Sequence, residues 1–283
     1  GSVGEEAFSG LTADHISALP GQAFQDLSHY QISNLDPSVM SAFTADNIEA
    51  LPAQAFSAFT EDHIANLQAE TFESFNNQDV SNLQPEALSA LDSSMLAAME
   101  PDVMSGFSEH QIEHLSADIL GELDADHFNN FGADAIGALT AEQVSALPAS
   151  IFTEEYVGDY AIQQLANLSV DAVGGLTAEQ IAHYPPEAVL NGFTPEFIEA
   201  IDADVIGALT ADQVSNIGPI AWREIDADTL GAISPDSMTQ FTDLGSVGEE
   251  AFSGLTADHI SALPGQAFQD LSHYQISNLD PSV

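Results

Sequence analysis

The chain has 283 residues, of which 45 are Asp or Glu and one is Arg, for a formal charge of −44 at pH 7. This charge argues against nucleic acid and anionic membranes as direct partners, because both are bound through clustered Lys and Arg. The absence of cysteine excludes disulfides, Cys-based zinc sites and thiol catalysis. Since 45% of the residues are hydrophobic, composition favours a folded acidic protein over a disordered one. No apolar run reaches the ~20 residues that a spanning helix needs, so we expect no membrane insertion.

An eight-residue repeat organises the chain. From Val3 to Glu154 the sequence divides into 19 octads without interruption, beginning VGEEAFSG, LTADHISA and LPGQAFQD. Positions 1 and 6 are apolar in every one of these octads. A fixed period indicates a repeat architecture, in which each unit buries its apolar residues only by stacking on its neighbours.

Each octad has the pattern of one short helix. In LTADHISA, Thr12 is a candidate N-cap, Asp14 falls in the first turn, and Leu11 and Ile16 can pack across the helix start. All 13 prolines fall at octad positions 2 or 3, where a helix can begin but through which a longer helix could not continue. The sequence therefore predicts helices that start near position 2 or 3 and end near position 8. Positions 1 and 6 should be buried and position 7 exposed.

Position 5 gives a second, slower period. Small or apolar residues alternate there with polar ones, so neighbouring octads differ in their surroundings. From this we predict an all-α solenoid of very short helices, one per octad, with two octads (16 residues) in each coil. Four histidines occupy polar position 5 and are expected on a solvated face: His15, His63, His127 and His259.

The repeat also has irregularities and a longer period. The register breaks at 155–167, where we expect a distorted or lengthened coil, and a six-residue spacer occupies 241–246. Residues 245–283 then repeat residues 1–39 identically, which defines a tandem unit of 244 residues. We expect residues 1–283 to form a single continuous repeat solenoid within a longer tandem array, although a chain with one duplicated end remains the alternative.

Units such as LTADHISAL, LTAEQVSAL and LTADQVSNI resemble the octapeptide repeats (LTxxQIxAL) of large secreted bacterial surface and adhesin-like proteins. The resemblance covers nearly the whole chain and is specific to this class of repeat. It implies an extracellular, cell-surface stalk with a structural or adhesive role. The Phe-rich alternate octads, the break at 155–167 and the near-absence of basic residues depart from the simplest form of the repeat.

Two patterns suggest metal chemistry. His110-Gln111-Ile112-Glu113-His114 fits the H-x-x-E-H motif of inverted zincins, but Ile112 holds an ordinary core position, so a solvated histidine pair is favoured. Asp-x-Asp pairs recur at positions 2 and 4 and could donate oxygens to Ca²⁺, whereas helix capping explains them without a ligand. The weak candidate ligands are Asp124, Asp126, Asp202, Asp204, Asp226 and Asp228.

The resulting hypothesis is a structural repeat protein, a segment of a long extracellular filament or adhesin stalk whose partners are further copies of the same unit. The alternative is an acidic repetitive binding surface for Ca²⁺, for a mineral or ice surface, or for a basic partner. We expect no enzymatic activity and no cofactor, with Ca²⁺ the one ion to consider. Glycans are possible on surface Ser and Thr, and at Asn167 in the only N-x-S sequon.

Overall fold

The computed structural model describes residues 5–152 and 166–279. Within these ranges every regular element is a helix of three to seven residues, and none is a strand. No helix in the described ranges is long and apolar enough to cross a membrane. The chain divides into two compact units, Gly1–Leu139 and Thr140–Val283. The prediction of an all-α repeat of very short helices is confirmed in both units.

The first unit alternates 3-10 and α-helical segments along most of its length. Its 3-10 segments are Glu5–Gly10, Gly21–Ala23, Pro37–Ala42, Ala53–Ala58, Ala69–Ser74, Pro85–Ala90 and Pro101–Gly106. Its α-helices are Ala13–Ala18, His29–Ser33, Ala45–Ala50, Glu61–Ala65, Asn77–Asn82, Ser93–Ala98, Glu109–Ile112, Ala117–Leu120, Ala125–Asn129 and Ala133–Gly137.

The second unit is mainly α-helical between residues 166 and 232 and then returns to mixed segments. Its described α-helices are Ala141–Ala146, Val170–Val173, Ala178–His183, Pro186–Gly192, Pro195–Ala200, Ala203–Ile206, Ala211–Asn216, Pro219–Glu224, Ala227–Ala232, Ala257–Ala262 and His273–Ser277. Its 3-10 segments are Ala149–Phe152, Pro235–Gln240, Leu244–Ser246, Glu249–Gly254 and Gly265–Phe268.

Octad position 2 decides which kind of helix forms. Most α-helices begin after a Ser, Thr, Asn or Asp whose side chain accepts the backbone N–H three residues later, as Thr60 does from His63. The 3-10 segments of the first unit follow Pro, Gln or Glu at this position, as at Pro52, or Asp36, which accepts the nearer N–H of Ser38. Capping of the third N–H stabilises a full α-turn, so the cap explains the alternation. The predicted helix limits, positions 3 to 8, are confirmed.

Each segment packs on the segments three octads away. Ala13–Ala18 packs on Pro37–Ala42, which packs on Glu61–Ala65, which packs in turn on Pro85–Ala90. These segments start 24 residues apart. The second unit behaves in the same way, because Ala203–Ile206 packs on Ala227–Ala232. The predicted coil of two octads and 16 residues is therefore wrong: one coil takes three octads and has three sides.

The two-octad period is real, but it describes helix type and not coil size. Since three is odd, an octad of one type is followed three octads later by an octad of the other type. The α-helices of residues 5–112 therefore stack on 3-10 segments and the reverse, as the packing of Asn77–Asn82 between Ala53–Ala58 and Pro101–Gly106 illustrates.

Positions 5 and 6 face opposite neighbours along the stack. Ile32, at position 6, is completely buried, whereas Ile276, its identical counterpart in the last described coil, is 54% exposed. Position 5 shows the reverse, because His15 in the first coil is exposed while His259 is only 2% exposed. Position 6 thus packs on the following coil and position 5 on the preceding one. The expectation of a solvated face is correct for His15 and wrong for three histidines: His63, His127 and His259.

The irregular segments alter the length of a coil without changing the packing order. Ala149–Phe152 packs on Ala178–His183, which starts 29 residues later, so the intervening coil is five residues longer than the regular ones. Residues 153–165 of the expected distortion at 155–167 lie outside the described residues. At the 241–246 spacer, Leu244–Ser246 packs on Pro219–Glu224 and on Gly265–Phe268, so it replaces one octad in the stack.

Candidate functional site

The α-type octads begin with reciprocal hydrogen bonds between positions 2 and 5. In Glu61–Ala65, the His63 N–H donates to Thr60 Oγ1 (3.3 Å) and the Thr60 N–H donates to His63 Nδ1 (3.1 Å). Gln serves equally well, because the Thr210 N–H donates to Gln213 Oε1 at 2.8 Å. These bonds satisfy N–H groups that a helix start otherwise leaves without partners.

The far end of the same side chain reaches the preceding coil. Gln111 Nε2 donates to Leu83 O (2.8 Å) and to Val80 O (2.7 Å), where the coil below turns from one helix to the next. Gln213 Nε2 donates in the same way to Ile181 O and Tyr184 O. We call this set the corner ladder; its members are His63, Gln111, His127, Gln180, Gln213, Ser237, His259 and Gln275.

The corner ladder ties the register of one coil to the next. Each member is buried, so its polar atoms depend on these protein partners. One such hydrogen bond contributes about 0.5–1.5 kcal/mol net, but an unpaired buried carbonyl costs about 1–3 kcal/mol. A coil that slipped by one residue would leave both the side chain and the carbonyl unpaired. The ladder therefore selects one stacking register, which apolar contacts alone do not do.

The ladder histidines have defined proton positions. In His63, Nδ1 accepts the Thr60 N–H, so Nε2 carries the proton and donates to Leu35 O at 3.1 Å. His127 differs, since its Nδ1 lies 2.7 Å from Asp124 Oδ1 and its Nε2 lies 3.0 Å from Met99 O. Both of its ring nitrogens face acceptors, an arrangement that suits the charged imidazolium beside a carboxylate.

Asp79 occupies a ladder position with the wrong chemistry for it. The side chain is 3% exposed and accepts the Asn76 N–H at 3.1 Å, but an ionised carboxylate cannot donate to a carbonyl of the preceding coil. Burial raises the pKa of Asp79 from 3.8 to about 6, and the Asn76 N–H opposes that rise. Asn47 holds the equivalent position three α-type octads... in an earlier coil, where it accepts the Thr44 N–H without carrying a charge.

The Asp-x-Asp pairs lie at helix starts. Asp124 accepts the His127 N–H at 2.9 Å and Asp226 accepts the Thr229 N–H at 2.7 Å, so both act as N-caps. Partial burial opposes ionisation of Asp124, but its hydrogen bonds from His127 and the His127 charge hold its pKa below the usual value. The hydrogen bonds from Thr229 likewise lower the pKa of Asp226. Asp202 precedes a helix without a side-chain cap bond.

The second carboxylate of each pair lies in the first helical turn, where it favours the helix dipole. These residues are Asp126, Asp204 and Asp228. Within residues 5–152 and 166–279, the structure brings no group of three His, Asp or Glu side chains together as a metal site. The capping interpretation thus accounts for Asp124 and Asp226, and Ca²⁺ binding stays a hypothesis.

The H-x-x-E-H segment does not present two histidines on one helical face. The helix Glu109–Ile112 ends before His114, whose Nδ1 lies 2.9 Å from His110 O. His110 is exposed beside Glu109, and Ile112 is completely buried, as expected for position 6. Asn167 of the sequon is half-buried in a turn, and Ser169 caps Val170–Val173.

Grooves between successive coils are open and acidic. One of about 420 Å³ in the second unit is lined by Arg223, the only basic Lys or Arg of the chain, together with Glu224, Asp226, Glu249 and Glu250. Sequence reasoning had singled out the carboxylates, but it missed the corner ladder. The available signal was the restricted choice of polar residues at position 5, which are side chains able to bond at both ends. No known family model matches the chain, and no curated protein matches it significantly.

Proposed function

We propose that this chain is a structural repeat protein, a segment of a long extracellular filament or adhesin stalk, without a catalytic role. The corner ladder supports this proposal because it spends buried polar side chains on the register between coils rather than on a concave ligand site. The polar groups that could serve chemistry, such as Asp124 and His127, are engaged in capping and stacking. The extracellular location rests on the LTxxQIxAL resemblance.

One observation carries the proposal: the second copy of the 39-residue segment resumes the fold of the first. Glu249–Gly254 and Ala257–Ala262 have the helix types of Glu5–Gly10 and Ala13–Ala18. The 244 residues between them hold 30 octad positions when each irregular unit counts as one. Thirty is divisible by three and by two, so each new copy begins on the same side of the coil and with the same helix type. Tandem copies of this unit can therefore stack without a correction between them.

The acidic surface suits the same role. With 44 net negative charges on 283 residues, each 24-residue coil carries between three and four of them. Neighbouring filaments of such composition repel one another and stay dispersed. The alternative, an acidic surface that binds Ca²⁺, a mineral or ice surface, or a basic partner, uses the same open grooves, and it predicts saturable binding by the isolated chain.

The test is the location and shape of the protein on its producing cells. Antibodies raised against the full chain, with gold labels, should decorate thin filaments on unpermeabilised cells, at intervals repeated along each filament. Label that appears only after permeabilisation would overturn the proposal. Surface label on bound mineral or on another protein, without filaments, would favour the binding-surface alternative.

A further inference from the structure

The two identical copies of the 39-residue segment have different surroundings. His15 is exposed, whereas His259 is buried and its Nε2 lies 2.7 Å from Ile233 O in the preceding coil. Gly10 has open space where a Cβ would stand, whereas a Cβ on Gly254 would overlap Ala227 O. The same residues therefore form a free face at 5–26 and a covered face at 249–270.

The chain itself shows what covers this face. Glu249–Gly254 packs on Ala227–Ala232, and Ala257–Ala262 packs on Pro235–Gln240. The cover is thus another coil of the same repeat, which offers a backbone carbonyl to the histidine and close backbone contact to the glycine. Nothing in this arrangement requires the cover to come from the same molecule.

The last described coil presents the complementary face. Its position-6 side chains point toward a following coil, and Ile276 is 54% exposed there, whereas the identical Ile32 is completely buried beneath Ala53–Ala58. One end of the fold therefore offers apolar side chains and carbonyl oxygens, and the other end offers a histidine donor and an open glycine.

We propose that these two ends bind each other in different copies of this chain, so that residues 255–278 of one copy stack against residues 5–26 of the next. The helix types agree with the internal stack: Ala257–Ala262 would meet Glu5–Gly10, and Gly265–Phe268 would meet Ala13–Ala18. His15 Nε2 then donates to Leu263 O, the carbonyl that corresponds to Ile233 O. This inference rests on the proposed function in taking further copies as the partner, and it adds the two surfaces and their direction.

An internal pair supplies the geometry for a cross-link. His29 Nδ1 lies 3.0 Å from Ser57 Oγ in the next coil. His273 is the identical counterpart of His29, and in the proposed contact it faces Gln25 of the second copy. Since the chain has no cysteine, His273→Cys and Gln25→Cys can be placed in separate full-length chains. A mixture oxidised in about 0.5 M NaCl, which screens the acidic charge, should give the mixed dimer in at least tenfold excess over a mixture of His273→Cys with His110→Cys.

Sedimentation of the full chain provides the second measurement. Its weight-average mass should rise with concentration, and Ile276→Asp should reduce the association at least tenfold, whereas Ile220→Asp, at a side position that is 67% exposed, should not. Gly10→Val should abolish association and leave the melting temperature unchanged, whereas Gly254→Val should lower the melting temperature.

A chain that stays monomeric at every concentration, or one whose association ignores both Ile276→Asp and Gly10→Val, would overturn the inference. Monomers in solution together with gold-labelled surface filaments would leave the proposed function standing. Association in solution with label only inside cells would leave this contact standing and refute the filament.

Discussion

Replacing Asp79 with Asn should stabilise the protein at neutral pH. The folded environment raises the pKa of this carboxyl from 3.8 to about 6, because the side chain is buried in a slot that elsewhere holds a neutral donor. This difference corresponds to about 3 kcal/mol between the two protonation states. Asn47 occupies the equivalent position and keeps the cap hydrogen bond, so Asn should retain the cap and remove the cost of the buried charge.

The sign of the pH dependence follows from the same shift. A carboxyl whose pKa is raised on folding makes the folded state bind its proton more tightly, so the wild type gains stability as the pH falls from above about 6 to below 3.8. Asp79→Asn should therefore gain about 2–3 kcal/mol at pH 7.5, and about half as much at pH 5.

Urea unfolding, followed by hydrogen exchange in Asn77–Asn82, measures this difference locally. Asp46→Asn is the matched control, because it removes one exposed carboxylate from the same surface and should change stability by at most about 0.5 kcal/mol. The reasoning would be refuted if Asp79→Asn destabilised the fold at pH 7.5. It would also be refuted if the two variants gave equal gains at both pH values.

Three further outcomes test the ladder, the caps and the charge. Gln213→Met should cost about 2–4 kcal/mol in urea unfolding, since it leaves buried carbonyls without donors, whereas exposed Gln54→Met should cost little. Thr210→Ala should cost about 1 kcal/mol through loss of the N-cap; an equal loss in Thr239→Ala, which caps no helix, would contradict this. The melting temperature should rise with NaCl, and MgCl₂ and CaCl₂ should act alike at matched ionic strength. A large stabilisation by Ca²⁺ alone would instead favour the Asp-x-Asp pairs as ligands.

Local chemistry made the helices predictable, and long-range geometry made the coil size unpredictable. Thr12 as N-cap, proline at the helix start and burial of Ile16 follow from contacts within one octad, so the sequence suffices for them. The number of octads in a coil depends on the backbone turn between helices, which no side-chain period encodes. The alternation at position 5 reflects α-helical and 3-10 octads, and we expected it to reflect coil size.

The candidate site was only partly predictable for a similar reason. The capping role of Asp124 follows from its place before a helix, but the burial of His63 depends on which carbonyl lies 28 residues earlier in the preceding coil. Without the three-octad coil, that carbonyl could not be identified. A polar residue at position 5 therefore suggested solvent, although its second partner was a backbone oxygen.

The three-octad coil also has a mechanical consequence. Because each helical segment packs on segments one coil away, a pulling force applied along the stack would detach coils one at a time. A folded coil occupies about 8–10 Å, the usual distance between packed helices. Once detached, its 24 residues extend to about 80 Å at about 3.3–3.6 Å per residue. Each coil would thus release roughly 70 Å of slack under tension, and it could fold back against its neighbour when the load is removed.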